Sequence, residues 1–281
     1  MLLGKEDIRD NFKRLVKEGG LSHGYIFFGE PQVGKYSFAL SLASFVEKGK
    51  FEKVETERGF PKSLLEETLI IKPADGSIGI DAVREIRHFL SQRPVKSDFR
   101  VVVIDDAGAL TPQAQHAILK VTEEPPEASL IILIADSLDA LMATLRSRLQ
   151  KIHFIRSRTG EISEMLKNDY GLDKKTADEI ALYSLGRPGR AVALATTDEA
   201  KAKFKTALAL ISKKTAKKKV IDELLENPDD VYPLLTELVA KLAIDPVKNY
   251  DSLRAITDRM TAMSQFSTNR RLQLETALWN I

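Results

Sequence analysis

A glycine-rich loop that joins a short apolar segment to a helical one constrains the fold of this chain more than any other feature. The loop is GEPQVGK at residues 29–35, which matches the pattern G-x-x-x-x-G-K. The preceding residues 25–28, YIFF, have the composition of a buried strand. Residues 37–47, which follow, repeat apolar side chains at helical spacing. Strand, glycine loop and helix in this order predict an α/β module that binds phosphate groups at a helix N-terminus.

The loop lacks the last residue of its pattern. Ser or Thr normally follows the lysine and coordinates Mg²⁺ through its hydroxyl, but this chain has Tyr36. The phenol oxygen lies at the far end of a rigid ring, so it cannot replace that hydroxyl, and Ser37 points about 100° away around the helix. We therefore predict that Gly29, Gly34 and Lys35 keep the phosphate contacts of the loop and that Mg²⁺ has lost a ligand.

Strands and helices alternate through the first half of the chain. Predicted strands cover residues 68–71, 100–105, 130–135 and 152–154, and predicted helices cover 6–17, 80–91, 112–122 and part of 138–149. Buried strands that alternate with helices indicate a parallel sheet covered on both faces. After residue 154 the strand pattern disappears and only helical patterns remain. We predict a nucleotide-binding module over residues 1–156, a small helical lid over 157–199 and an all-α domain over 200–281.

Composition and charge narrow the classes of site that the chain can carry. It contains no cysteine, which excludes disulfides, Cys-zinc sites and thiol catalysis. No signal peptide is evident and no apolar run approaches the ~20 residues that span a bilayer, so we expect a cytoplasmic protein with no membrane partner. The net charge is only +2, so any contact with DNA depends on local basic residues. The basic stretch at 201–219 is one such place, although a solvated helix face is our preferred interpretation.

An acidic pair follows the most apolar of the predicted strands. Residues 101–104 read VVVI, and Asp105 and Asp106 come next. An acid at the end of a buried strand is the second half of an ATP site, where Asp105 would hold Mg²⁺ directly or through water. ATPases of the AAA+ class have Glu at the next position to polarise the attacking water. Asp106 is one methylene shorter, and a misplacement of about 1 Å can lower the rate about 100-fold. Acids that simply cap a strand end are the structural alternative.

Five further runs carry a family resemblance. They are HGYIF at residues 23–27, AQHAILKVTEEPP at 114–126, ATLRSR at 143–148, SLGRPGRA at 184–191 and NRRLQLE at 269–275. The second run is similar to the signature A-x-N-A-L-L-K-x-L-E-E-P-P, and the third is similar to an S-R-C motif. Both belong to bacterial DNA polymerase III clamp-loader subunits. The chain resembles that AAA+ family over nearly its whole length, and within the family it is most similar to the delta-prime subunits.

The resemblance implies a RecA-like AAA+ module, a helical lid and a helical collar that oligomerises. It implies a pentameric complex with delta and gamma/tau subunits, which opens a sliding clamp and sets it on primed DNA. In such a ring Arg148, the arginine of the S-R motif, would be an arginine finger that completes a neighbour's ATP site in trans. Arg190 would be a second nucleotide sensor, and Lys120 would face the DNA. A helix-end arginine, a structural arginine and a solvent-facing lysine are the respective alternatives.

The sequence also departs from the family pattern at three places. The family commonly carries a four-cysteine zinc module, but residues 47–67 form a short charged connection here, so we expect no zinc. The strand after the E-E-P-P run usually ends in Thr or Asn, which senses the γ-phosphate. Asp136 follows this strand instead, and its charge would repel phosphate. The last domain is also rather short for a collar.

An impaired local site beside an intact finger favours a subunit that does not hydrolyse ATP. Tyr36 and Asp106 impair the local site, whereas Arg148 is present. We therefore expect a delta-prime-like stator that lends Arg148 to a neighbouring ATPase and has no independent ATPase activity. Weak binding of ATP or ADP through Lys35 and no binding at all both stay open. A gamma/tau-like subunit that hydrolyses ATP itself is the main competing hypothesis, and a non-replicative AAA+ adaptor is the second.

Overall fold

The chain divides into two compact units, residues 1–158 and residues 159–281. The computed structural model describes residues 3–57, 59–62, 65–212, 217–266 and 268–279. The first unit mixes strands and helices, and the described part of the second unit is helical. The further division of the second unit into a lid and a collar stays a prediction.

The first unit is built on a five-stranded parallel sheet. The strands of this unit are β1 (Gly24–Phe28), β2 (Thr56–Glu57), β3 (Phe60–Pro61), β4 (Thr68–Ile71), β5 (Arg100–Ile104), β6 (Ser129–Ala135) and β7 (Gln150–His153). Of these, β2 and β3 pair with each other outside the parallel sheet. The helices of the unit are α1 (Glu6–Lys17), α2 (Lys35–Lys48), α3 (Ile80–Leu90), α4 (Pro112–Glu123) and α5 (Ala143–Arg148). The sheet order is β4-β5-β6-β1-β7, and every neighbouring pair is parallel. The α/β fold with a parallel sheet is therefore confirmed.

Alternate residues of the central strands pack into two different hydrophobic clusters. Ile26 of β1 belongs to one cluster, which the helices α3, α4 and α5 complete. Phe27, the next residue, belongs to the other and contacts Phe12 of α1 and Phe38 of α2, with ring centroids 5.9 and 5.7 Å away. Successive side chains of a strand point to opposite faces, so helices must cover both faces. Full burial of each of these aromatic side chains stabilises the fold by about 1.5–3 kcal/mol.

A short hairpin occupies the connection that the sequence predicts to be a charged link. The strands β2 and β3 pair antiparallel, with Thr56 opposite Pro61 and Glu57 opposite Phe60. Phe60 is half exposed. No sequence pattern predicts this element, because two-residue strands are too short to show an alternation of apolar and polar residues.

The strand register gathers polar residues at one edge of the sheet. Phe28 at the end of β1 is level with Ala135 at the end of β6, and Ile71 at the end of β4 is level with Ile104 at the end of β5. In a parallel sheet the carboxyl ends of neighbouring strands lie together, and ligands of open α/β sheets bind outside them. The residues that follow these strands, the glycine loop, Lys72, Asp105 and Asp136, therefore meet at this edge.

The second unit is an assembly of helices around its own core. They are α6 (Thr159–Tyr170), α7 (Lys174–Tyr183), α8 (Pro188–Thr196), α9 (Asp198–Ile211), α10 (Lys217–Glu226), α11 (Val231–Leu242), α12 (Tyr250–Gln265) and α13 (Arg270–Leu278). Buried aliphatic side chains of α9 to α13 form one cluster, in which Leu235, Ile256 and Leu274 are fully buried. Across the described parts of both units, the helices are too short or too polar to cross a bilayer.

Candidate functional site

The two glycines of the loop serve different physical needs. Gly29 has φ of 139°, and a Cβ there would fall well inside van der Waals distance of the carbonyl oxygen of Phe154. Only glycine fits a position with both constraints. Gly34 has φ of 99° and immediately precedes α2, but open space surrounds the position where its Cβ would be. Gly34 is thus required by the left-handed backbone of the loop, whereas Gly29 is also required by the close approach of the chain after β7.

Lys35 directs its ammonium group back onto the protein. Its side chain is only 6% exposed. The Nζ atom donates to the carbonyl oxygen of Gly29, to that of Glu30 at 2.8 Å and to Oδ1 of Asp136 at 2.8 Å. An ammonium group has three donors, so these acceptors use all of them. The sequence predicts that Asp136 repels phosphate, and the geometry adds that Asp136 competes with phosphate for Lys35.

Tyr36, Lys72 and Asp105 form a compact cluster beside the loop. The Nζ atom of Lys72 lies 2.8 Å from Oδ2 of Asp105 and 4.2 Å from the centroid of the Tyr36 ring. The Tyr36 hydroxyl donates to the carbonyl oxygen of Gly59 at 2.5 Å, and the Phe60 ring lies 5.6 Å from Lys72. Burial raises the pKa of Tyr36 above its usual range, and the charge of Asp105 raises it further. The phenol therefore stays protonated and neutral.

Lys72 is the residue of this site that sequence reasoning missed. It follows β4 directly, just as Asp105 follows β5, and β4 pairs with β5 so that Ile71 is level with Ile104. That register brings the two side chains together across 33 residues of sequence. A signal was present, since a lysine at the end of a predicted strand is placed at the same sheet edge as the acid. It could be used only once the strand order was known.

Asp106 is separated from Asp105 by a change of backbone direction. It is exposed and has φ of 58° and ψ of 59°, in the left-handed region, where it precedes a short 3-10 helix over Ala107–Ala109. Aspartate tolerates this conformation better than most residues. Only Asp105 of the acidic pair contacts Lys72 in the described structure.

A third ion pair holds the glycine loop to the segment after β7. The Nε atom of Arg156 lies 3.0 and 3.1 Å from the two carboxylate oxygens of Glu30, and Nη2 lies 2.9 Å from Oε2. This two-pronged arrangement suits the planar guanidinium group. Acidic side chains therefore pair with Lys35, with Lys72 and with Arg156 around this loop.

The finger candidate Arg148 lies at the end of α5. Its Nη1 atom donates to the carbonyl oxygen of Thr144 at 2.9 Å, and its Nη2 atom lies 2.6 Å from Oε1 of Glu123. The side chain is 37% exposed. Arg146 of the same helix pairs with Asp139 at 3.0 Å instead. The structure thus joins the arginine of the S-R motif to the first glutamate of the E-E-P-P run, a contact that sequence reasoning missed.

The sensor candidate Arg190 is buried within the second unit. Its Nε atom donates to the carbonyl oxygen of Tyr183 at 3.1 Å, and its Nη2 atom lies 2.6 Å from Oε2 of Glu237. Lys241 of α11 donates to the hydroxyl of Tyr183 on α7, so α11 has polar contacts with both α7 and α8. Arg190 is thus held within the second unit by Tyr183 and Glu237. Its role as a nucleotide sensor stays a prediction.

The remaining basic candidates are only partly described. Lys120 is exposed on α4, as the sequence predicts. In the basic stretch, Lys203 pairs with Asp230 at 2.9 Å. Lys213 and Lys214 of the same stretch lie outside the described residues. The DNA-facing role of Lys120 stays a prediction, and a solvated helix face stays our preferred interpretation of the basic stretch.

Comparisons with known proteins agree with the resemblance that the motifs indicate. A sequence model of the family described as "DNA polymerase III, delta subunit" matches residues 4–158. The DNA polymerase III subunit gamma/tau of Mycobacterium bovis is 29% identical over 159 residues, which cover 52% of this chain and 27% of that protein. The DNA polymerase III subunit tau of Bacillus subtilis is 29% identical over 161 residues, which cover 55% of this chain and 28% of that protein. The chain therefore spans less than a third of the length of these relatives.

A solved structure extends the similarity in fold to both units. The DNA polymerase III gamma subunit-related protein of Thermotoga maritima aligns with a TM-score of 0.52 at 20% identity, covering 96% of this chain and 97% of that chain. At this identity the likeness concerns the fold alone. Because the family model matches more than half of the residues, this chain belongs to the DNA polymerase III delta-subunit family.

Proposed function

We propose that this chain is a clamp-loader subunit of the delta-prime kind, which does not hydrolyse ATP and lends Arg148 to the ATP site of a neighbouring subunit. The observation that carries the proposal is the contrast between Lys35 and Arg148. Lys35 is buried and saturated by protein oxygens, whereas Arg148 is over a third exposed and pairs with the carboxylate of Glu123. The phosphate-binding lysine of the local site is therefore occupied by protein groups, while the arginine stays accessible.

The energies favour release of Arg148 toward a neighbour. Its pair with Glu123 is partly exposed, and such a pair contributes at most about 1 kcal/mol. An arginine finger accelerates related nucleotide triphosphatases by about 10³ to 10⁵, which equals about 4–7 kcal/mol of transition-state stabilisation. The contact with Glu123 can therefore hold the free side chain in place and still yield to a developing negative charge on a γ-phosphate.

The same proposal assigns partners and cofactors. The neighbours are gamma/tau subunits that hydrolyse ATP, with a delta subunit, a sliding clamp and primed DNA as further partners of the complete ring. ATP or ADP binds weakly to this chain, if it binds at all, because phosphate must displace Asp136 or a loop carbonyl from Lys35. No zinc takes part.

A gamma/tau-like subunit that hydrolyses ATP itself is the second candidate. It is favoured by the gamma/tau and tau names of relatives that match just over half of this chain. This function would require Lys35 to release its protein oxygens and Asp105 to release Lys72. Steady ATP turnover by the purified chain, abolished by Lys35→Ala, would establish this second function and exclude the first.

Replacement of Arg148 in the reconstituted clamp loader tests the proposal. Arg148→Ala should slow ATP hydrolysis at the neighbouring site that Arg148 completes by about 10³-fold or more. This loss should appear as a lower DNA- and clamp-stimulated ATPase rate of the complex, while assembly and nucleotide affinity stay unchanged. Arg146→Ala is the matched control, since Arg146 lies on the same helix with its own partner, and it should matter less. Lys35→Ala should also do far less. Equal ATPase rates for the wild type and Arg148→Ala would remove the proposed role.

A further inference from the structure

Both protein groups that would hold Mg²⁺ beside a phosphate loop are committed to other partners in this chain. The residue after Lys35 is Tyr36, whose hydroxyl donates to the carbonyl oxygen of Gly59. The strand-end acid, Asp105, accepts from the ammonium group of Lys72 at 2.8 Å. Mg²⁺ requires near-octahedral oxygen ligands at 2.0–2.1 Å. The residues present therefore do not fit a Mg²⁺ ion.

The ammonium group of Lys72 is enclosed rather than loosely placed at Asp105. It lies over the ring of Tyr36 at 4.2 Å and near that of Phe60 at 5.6 Å, within the range of cation–π attraction. A Cβ at Gly59 would approach Lys72 Nζ to 2.9 Å, so the hairpin backbone packs directly against this side chain. Lys72 and Asp105 are each about a quarter exposed. Aromatic faces, a carboxylate and backbone thus surround one positive charge.

We propose that Lys72 is a built-in cation that takes the place of the divalent metal at Asp105 and excludes it from this site. The inference deepens the proposed function, because it names what keeps the local site from assembling a metal-nucleotide complex. A second cation at Asp105 would face the charge of Lys72 within a few ångströms and would compete for the same carboxylate. Tyr36 and Lys72 act together, since the ring of Tyr36 supports the ammonium group that replaces the ion.

The proposal separates two explanations for the loss of the metal. If Tyr36 alone prevents metal binding by withholding a hydroxyl, then Tyr36→Thr should restore it. If Lys72 occupies the place of the ion, then Tyr36→Thr should fail unless the charge of Lys72 is removed as well. Lys72→Met suits this purpose, because methionine keeps an apolar stem against Tyr36 or its replacement and carries no charge.

The experiment titrates Mn²⁺ into the full chain with excess ADP and follows free Mn²⁺ by electron paramagnetic resonance. The wild type, Tyr36→Thr and Tyr36→Thr/Lys72→Arg should bind no Mn²⁺ beyond that held by ADP in solution. Tyr36→Thr/Lys72→Met should bind one equivalent and should show a gain of at least about tenfold in ADP affinity when Mg²⁺ is added, measured by calorimetry. Tyr36→Thr/Lys17→Ala, which removes an exposed lysine of α1, is the matched control and should behave like Tyr36→Thr.

Two outcomes would overturn the proposal. One is Mn²⁺ binding by Tyr36→Thr that equals the binding by Tyr36→Thr/Lys72→Met. The other is no Mn²⁺ binding by Tyr36→Thr/Lys72→Met when its circular dichroism shows that it is folded. If Tyr36→Thr/Lys72→Met does not fold, the ADP affinities of the wild type and of Tyr36→Thr decide the question. A Mg²⁺-dependent gain in either affinity overturns the proposal, and the absence of a gain in both supports it. None of these measurements involves Arg148, so the inference can fail while the finger-donor function stands, and the reverse also holds.

Discussion

Removal of Glu237 should destabilise the second unit strongly, because it leaves the guanidinium group of Arg190 buried without its carboxylate. The two side chains are only 7% and 13% exposed, and Nη2 and Oε2 lie 2.6 Å apart. Loss of one partner of such a pair costs about 3–5 kcal/mol. The matched control is Asp222→Ala, which breaks the half-exposed pair of Asp222 with Arg271 and should cost at most about 1 kcal/mol.

The same geometry predicts that replacement of both partners restores stability. Burial lowers the pKa of Arg190, with the charge of Glu237 opposing it, and burial raises the pKa of Glu237, with Arg190 opposing it. For both groups the effect of burial on the pKa is larger than the opposing effect of the partner's charge. The penalty for burying the two charges therefore exceeds their mutual attraction. Arg190→Met with Glu237→Leu should therefore be as stable as the wild type or more stable by about 1–4 kcal/mol.

Urea denaturation followed by circular dichroism measures these differences, and hydrogen exchange in α8 and α11 assigns them to the second unit. Equal losses for Glu237→Ala and Asp222→Ala would refute the reasoning. A double variant no more stable than Glu237→Ala would refute it as well, because the lost energy would then come from packing rather than from an unpaired charge. Agreement would identify Arg190 as a structural brace between α8 and α11.

Two further predictions concern the first unit. Gly29→Ala should destabilise it by at least about 2 kcal/mol and by more than Gly34→Ala, because only the Cβ added at position 29 would meet the carbonyl group of Phe154. Equal melting temperatures for the two variants would contradict this. Burial acts to raise the pKa of Glu67, but two backbone N–H groups and the charge of Arg100 outweigh it, so the pKa is lowered from 4.5. The resulting stabilisation is complete above the unfolded pKa and is lost as the pH falls from about 4.5 through the lower folded value. Glu67→Gln should flatten this acid dependence in urea titrations, and an unchanged slope would count against it.

The fold of the first unit could be predicted from the sequence because its signals are local. The apolar run of residues 101–104 and the helical spacing of residues 6–17 need no distant partner to be recognised, and both elements form where the patterns indicate. The paired strands at residues 56–57 and 60–61 were missed because two-residue strands are too short to carry such a local pattern. They form where the hairpin can pack against Tyr36 and Lys72.

Some features of the candidate site follow from residue type alone, and others depend on tertiary structure. By itself the sequence determined that the glycine loop is present, that Tyr36 replaces a metal-binding hydroxyl and that the S-R motif carries Arg148, because residue type alone decides these points. Only the tertiary structure decided which charges meet: Lys35 with Asp136, Lys72 with Asp105, Arg148 with Glu123 and Arg190 with Glu237. These partners are 25 to 101 residues apart. Strand register and helix packing bring them together, and no local pattern encodes either one.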